Sequence, residues 1–146
     1  MVYGRIVLAC LLIAGAGTDL AWRRIPNAIV CAGLAVFATV AAQLLFNGQV
    51  AVFVGCLCAG TLAFAIHFVP WLLRKMGAGD VKMALLIGLL TGWQDWSGFI
   101  SMYCVVLLVA SCALLAMRKK KLDTLPLAPF MAAAWFLYYL SEAVNV

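Results

Sequence analysis

Apolar residues run along this chain in long blocks, and the polar residues gather between them. Six blocks stand out, at about 2–20, 28–46, 50–73, 81–93, 97–117 and 125–144. A helix rises about 1.5 Å per residue, so roughly 20 apolar residues cross about 30 Å of hydrocarbon. Most of the blocks are near that length, and the pattern predicts an all-α, polytopic membrane protein with six transmembrane helices. Composition points the same way. The chain is 68% hydrophobic and 10% charged, whereas a soluble domain is about half apolar and a quarter charged. Its 146 residues leave room for one integral-membrane domain, 1–146, and none for a separate soluble one.

The connections between the blocks alternate in charge. The first carries Arg23 and Arg24; the second, Asn47-Gly48-Gln49, carries none. The third holds Arg74 and Lys75, with Lys82 just beyond, and the fourth has only Asp95. The fifth is Arg118-Lys119-Lys120-Lys121-Leu122-Asp123. Of the ten basic residues, only Arg5 falls outside the first, third and fifth connections. By the positive-inside rule those three are cytoplasmic, and both termini are outside, on the periplasmic side. The basic excess therefore sets topology and contacts anionic lipid, and no nucleic-acid partner is expected. Trp93 and Trp96 suit an aromatic belt at the outer surface. The six cysteines all lie in apolar runs without a C-x-x-C pair, which fits apolar packing and no metal site. The basic pair follows the first block instead of preceding it, so that block does not read as a signal peptide.

The fourth block is anomalous. From Val81 to Trp93 it has thirteen residues, about 20 Å of helix, too short to span. Either the bilayer thins there or the preceding turn, Gly77-Ala78-Gly79-Asp80, dips below the surface; the dip is the favoured reading. It puts Asp80 in a recessed site, since irregular backbone at that depth survives only inside protein or beside a water-filled cavity. The topology brings a second carboxylate, Asp19, to the same membrane edge. Asp95 and Glu142 fall on the opposite side, and Asp123 sits in a solvated basic loop.

Two close carboxylates cannot easily both ionise, so one keeps a proton and the pair is equipped to activate water. Asp80 precedes a helix, where the dipole favours an anion, and Asp19 ends one, where it does not. Asp80 is therefore expected to be the ionised base and Asp19 the protonated partner. Two plainer readings stand beside this one. Asp80 is also a good N-cap for the fourth block, and Asp19 is placed to pair with Arg23 four residues on. Spacing and charge alone leave these open.

The residues around both acids resemble a known family. Gly77-Ala78-Gly79-Asp80 matches the G-x-G-D motif of intramembrane aspartyl proteases, and the run on to Val81-Lys82 matches its longer form in type IV prepilin peptidases. Asp19, followed by Arg23-Arg24 and Ile25-Pro26-Asn27, is similar to that family's first aspartate motif. Pro126-Leu127-Ala128-Pro129-Phe130 is similar to the start of its last segment, with Leu and Ala where the family often has Phe and Gly. The likeness covers nearly the whole chain. It implies an aspartic endopeptidase of the bacterial inner membrane that removes the basic leader from prepilins or pseudopilins at the cytoplasmic face. Asp19 and Asp80 match its catalytic pair, and no metal or cofactor is implied. Larger members add a cytoplasmic region, often with two C-x-x-C pairs, and methylate the new N-terminus. This sequence resembles the small peptidase-only members, including those acting on Flp-type pilins, without an N-methyltransferase or zinc domain.

Other residues are weighed against these. Lys82 is expected to point away from Asp80, biasing its charge, binding lipid phosphate, or simply snorkelling. Gly77 and Gly79 allow the turn and give an extended substrate access to the backbone. Pro26 and Asn27 read as a break and a cap for the second helix, with Asn27 a further candidate for the site. Pro126 and Pro129 are candidates for holding the last segment open beside the acids. His67 reads as an interhelical hydrogen-bonder, and Pro70 as a kink near the end of its helix. A small transporter using the acids as a cation site, or a non-catalytic assembly component, are the competing functions. The first is disfavoured because transport sites usually sit near the midplane. The absence of H-E-x-x-H and G-x-S-x-G excludes other common protease motifs. Topology has a direct test: a reporter fused at Lys120 is expected to report the cytoplasm, and an outside location would overturn the charge argument.

Overall fold

The computed structural model describes residues 2–22, 24–74, 76–91 and 128–144, without side chains for 2–5 and 141–144. Five helices account for nearly all of them: α1 (Val2–Trp22), α2 (Asn27–Phe46), α3 (Val50–Leu72), α4 (Ala78–Thr91) and α5 (Ala128–Val144). They correspond to the first four apolar blocks and the sixth. The fifth block, the fourth and fifth connections, Trp93, Trp96, Cys104, Cys112 and Pro126 lie outside the described residues. The described chain is all-helical. α2 and α3 are long and apolar enough to cross a membrane.

The connections follow from local chemistry. α2 ends in a Schellman motif: the Gln49 N–H donates to the Leu44 carbonyl at 2.8 Å, and the Gly48 N–H to that of Leu45 at 3.1 Å. That geometry needs a left-handed residue after the cap, and Gly48 supplies it at φ 69° without a Cβ penalty. Three residues suffice to turn the chain, so α2 and α3 run antiparallel. α3 stops two residues past Pro70, which lies in its last turn, and Arg74 takes a left-handed φ of 57° before the chain enters α4.

α4 is the centre of the bundle. It touches every other described helix and lies most extensively against α3. From Val81 to Leu90 it is buried apart from Lys82 and Leu85, which are half-buried. A helix apolar on all sides belongs inside protein. The neighbouring helices cover most of the fourteen described residues of α4. The outer helices carry the lipid-type surface instead. Ile13, Phe46, Ile66, Val69 and Leu140 all face outward, and an apolar area this extensive is out of place in water. Trp22 and Trp71 are exposed where α1 and α3 finish. Three of the four described cysteines, Cys10, Cys31 and Cys58, face outward too, and Cys56 is buried.

Small residues let α4 approach α3. A Cβ on Gly88 would lie 2.5 Å from the Ala59 carbonyl oxygen and 2.6 Å from the Gly60 Cα. Both are backbone atoms, so the helices themselves would have to part. Close packing of this kind drives association where there is no hydrophobic force between helices. At the far end of α4, Thr91 Oγ1 accepts a hydrogen bond from Trp135 Nε1 of α5 at 3.1 Å. Trp135 also stacks on Tyr139, at 5.3 Å between ring centres. Gly88→Ala is expected to destabilise the bundle by about 1–3 kcal/mol or more. Gly17→Ala, where a Cβ meets nothing within 4 Å, is expected to be neutral or to stabilise by up to about 1 kcal/mol. Unfolding in detergent compares the two.

Candidate active site

Asp19 sits in the last turn of α1 and Asp80 in the first turn of α4, and the fold brings them to one cavity of about 260 Å³. They are 7% and 6% exposed, which is costly for carboxyl groups unless something compensates. For Asp80 the compensation is visible. Its carboxylate accepts hydrogen bonds from the backbone N–H groups of Gly77 and Ala128. Burial and the nearby Asp19 carboxylate oppose a charge there, and the two amides favour one.

The bond to Gly77 explains how the local sequence folds. α4 begins at Ala78, three residues before the apolar block does. Asp80 is thus the third helical residue and not the N-cap, and its side chain reaches back to the amide before the helix. That is one half of a capping box. The capping reading of Asp80 survives in this altered form and does not compete with a chemical role. The rival pairing of Asp19 with Arg23 falls on a residue outside those described.

Loop residues 24–26 lie directly on this first turn. A Cβ on Gly79 would come within 3.0–3.1 Å of three Ile25 side-chain carbons, so glycine is what admits the loop. A Cβ on Gly77 would stand 3.3 Å from Asp80 Oδ2, crowding the carboxylate. Arg24, Ile25, Ala78 and Lys82 complete the cavity wall with the two acids and the two glycines.

Lys82, a candidate site residue, lines the cavity, and its Nζ donates to Asn27 Oδ1 at 2.8 Å. Two positions along a helix from Asp80 is about 200° of turn, and the four-carbon stem still reaches the cavity wall. One expectation needs correcting. Asn27 is not the cap of α2. Pro26, extended at φ −59° and ψ 138°, occupies that place, and Asn27 is the first helical residue. Asn27 does not line the cavity and reaches the site only through Lys82.

Pro129 is half-buried in the first turn of α5, next to the Ala128 amide that holds Asp80. His67, buried in α3, donates from Nδ1 to the Ala63 carbonyl of its own helix at 2.9 Å. Sequence reasoning placed Arg24, Ile25 and Ala128 in motifs resembling the family's but did not name them as site residues. Among the described residues no three His, Cys, Asp or Glu side chains converge.

A buried carboxylate pair at one end of an apolar helical bundle defines a membrane protein equipped for acid–base chemistry on water or a carbonyl. The comparison with known families gives that class its identity: the model of the Type IV leader peptidase family matches residues 6–137, and the chain belongs to that family. It is a protease of the type IV leader peptidase kind, and the family's substrates are prepilins in general. No match is found among curated proteins or solved structures.

The fit of Ile25 against Gly79 yields a prediction. Gly79→Val is expected to lower leader cleavage about 10²-fold, the cost of misplacing groups by about an ångström. Gly79→Ala should lose less, and adding Ile25→Ala, which vacates the contested space, should restore part of that loss. Initial cleavage rates of the three variants check it.

Proposed function

We propose that the protein is an aspartic endopeptidase of the bacterial inner membrane. It cleaves the basic leader from type IV prepilins or pseudopilins, the Flp type among them, at the cytoplasmic face. The observation that carries the reading is the burial of Asp19 and Asp80 in one cavity, although the two acids lie in separate apolar blocks. The spans number six, and the first, third and fifth connections are cytoplasmic. The location of the acids at helix ends suits chemistry at a membrane face better than transport through a midplane site.

The pair carries one proton between its two carboxyl groups. The ionised member takes a proton from water as the oxygen attacks the scissile carbonyl carbon, and the protonated member donates to the carbonyl oxygen. The tetrahedral intermediate then collapses: the C–N bond breaks, a proton passes to the leaving nitrogen, and a carboxylic acid and an amine result. The dipole argument leaves the charge on Asp80. Burial and the neighbouring Asp19, the larger effects, oppose a charge there and its two amide donors only partly offset them, so the two acids titrate as a unit.

Co-expression with a candidate prepilin tests the proposal. Wild type is expected to remove the leader, seen as a gel shift, while Asp19→Asn and Asp80→Asn each slow cleavage on the order of 10³-fold or more. Undiminished cleavage by both variants would end the aspartyl reading.

A further inference from the structure

The connection between α1 and α2 carries more than topology. Residues 24–26 are non-helical, and they separate the helix that brings Asp19 from the helix that opens on Asn27. This short strap is held against α4 at two points. One is the packing of Ile25 on Gly79, which is apolar and has no directional preference. The other is the hydrogen bond from Lys82 Nζ to Asn27 Oδ1, at 2.8 Å, which is directional and strengthened by the ammonium charge. Lys82 lies in the helical turn that also presents Asp80. The start of α4 is therefore tied to α5 through Asp80 and Ala128, and to α2 through Lys82 and Asn27.

We propose that Lys82 and Asn27 act as a latch that sets the position of Asp19 relative to Asp80, with Lys82 a positioning residue that works through Asn27. The proposal rests on the aspartyl reading of the site. With the latch broken, Ile25 still covers Gly79, but the start of α2 shifts on its apolar contact. Asp19, eight positions before Asn27 in the chain, shifts with it. Asn27 is exposed and Lys82 half-buried, so cutting the bond leaves the apolar core intact and the loss falls on the chemical step. A lysine that gripped the substrate directly would act on binding instead. It would also be indifferent to Asn27, which lies outside the cavity wall.

Steady-state cleavage of a prepilin that the wild type processes, measured with the full chain in detergent, separates these cases. Lys82→Met and Asn27→Leu are each expected to lower kcat about tenfold or more, with KM within about twofold of wild type. The double variant should be no slower than the worse single, because both remove the same bond. Lys82→Arg and Asn27→Asp, which keep a donor and an acceptor, should stay within about threefold of wild type. Asn27→Ala, a smaller truncation at an exposed position, repeats the measurement if Asn27→Leu does not fold. Losses that multiply in the double variant, an effect carried by KM, or full activity of the Asn27 truncations would overturn the latch. The two readings fail separately. If Asp19→Asn and Asp80→Asn are inactive while the Lys82 and Asn27 variants match wild type, only the latch falls. If the aspartate variants cleave normally, the aspartyl reading falls first.

Discussion

The Asp80 carboxylate reaches back to the amide of Gly77 and across to the amide of Ala128, and these two hydrogen bonds join the start of α4 to the start of α5. Much of the architecture serves that junction. A carboxyl group this deep needs donors that water does not supply, and backbone amides at the openings of two helices are such donors, unpaired within their own helices. To bring both openings to one carboxylate, α4 has to lie inside the bundle, in contact with all its neighbours. Its covering of apolar side chains and its close glycine contact with α3 follow from that position.

The apolar blocks located the described helices to within a few residues because burying backbone and side chains in hydrocarbon leaves little freedom of pattern. The start of α4 was read three residues late. Gly77-Ala78-Gly79 is poor helix-forming sequence by propensity, and what overrides propensity is the capping bond from Asp80, which the sequence does not announce. Asp19 and Asp80 were legible as a pair because charge placement puts them at one membrane level. Asn27 was misread because an asparagine before an apolar run resembles a cap, when the proline ahead of it had already taken the extended conformation. The Ala128 amide had no side-chain signature to find.

The cavity mixes signs at short range. Arg24 and Lys82 share its wall with Asp19 and Asp80, so the acids lie beside cations. Basic residues that the charge pattern reads as topology signals thereby also shape the field around the acids. Lys82 illustrates the economy, since one ammonium group contributes to the charge bias and binds the strap through Asn27. Gly79 does something comparable without a side chain, because its bare Cα is the surface on which Ile25 rests.

Depth connects this geometry to the proposed substrate. Asp19 lies three residues before the end of α1, about 4.5 Å along the axis, and exposed Trp22 marks that end in the manner of an interfacial aromatic. Asp19 is therefore roughly one helical turn from the end of its helix. The proposed leader-bearing substrate has a basic stretch that stays in water and an apolar helix that stays in lipid, and the bond between them falls where the two meet. Presenting that bond to a carboxylate requires the substrate to be extended there, since a helix hides its carbonyls in its own hydrogen bonds. At the start of α4, Gly77 leaves the backbone beside Asp80 bare, while Ile25 covers Gly79. On the proposed reading, the bare backbone beside Asp80 and the placement of both acids at helix ends answer one constraint, a peptide bond that becomes accessible only where lipid gives way to water.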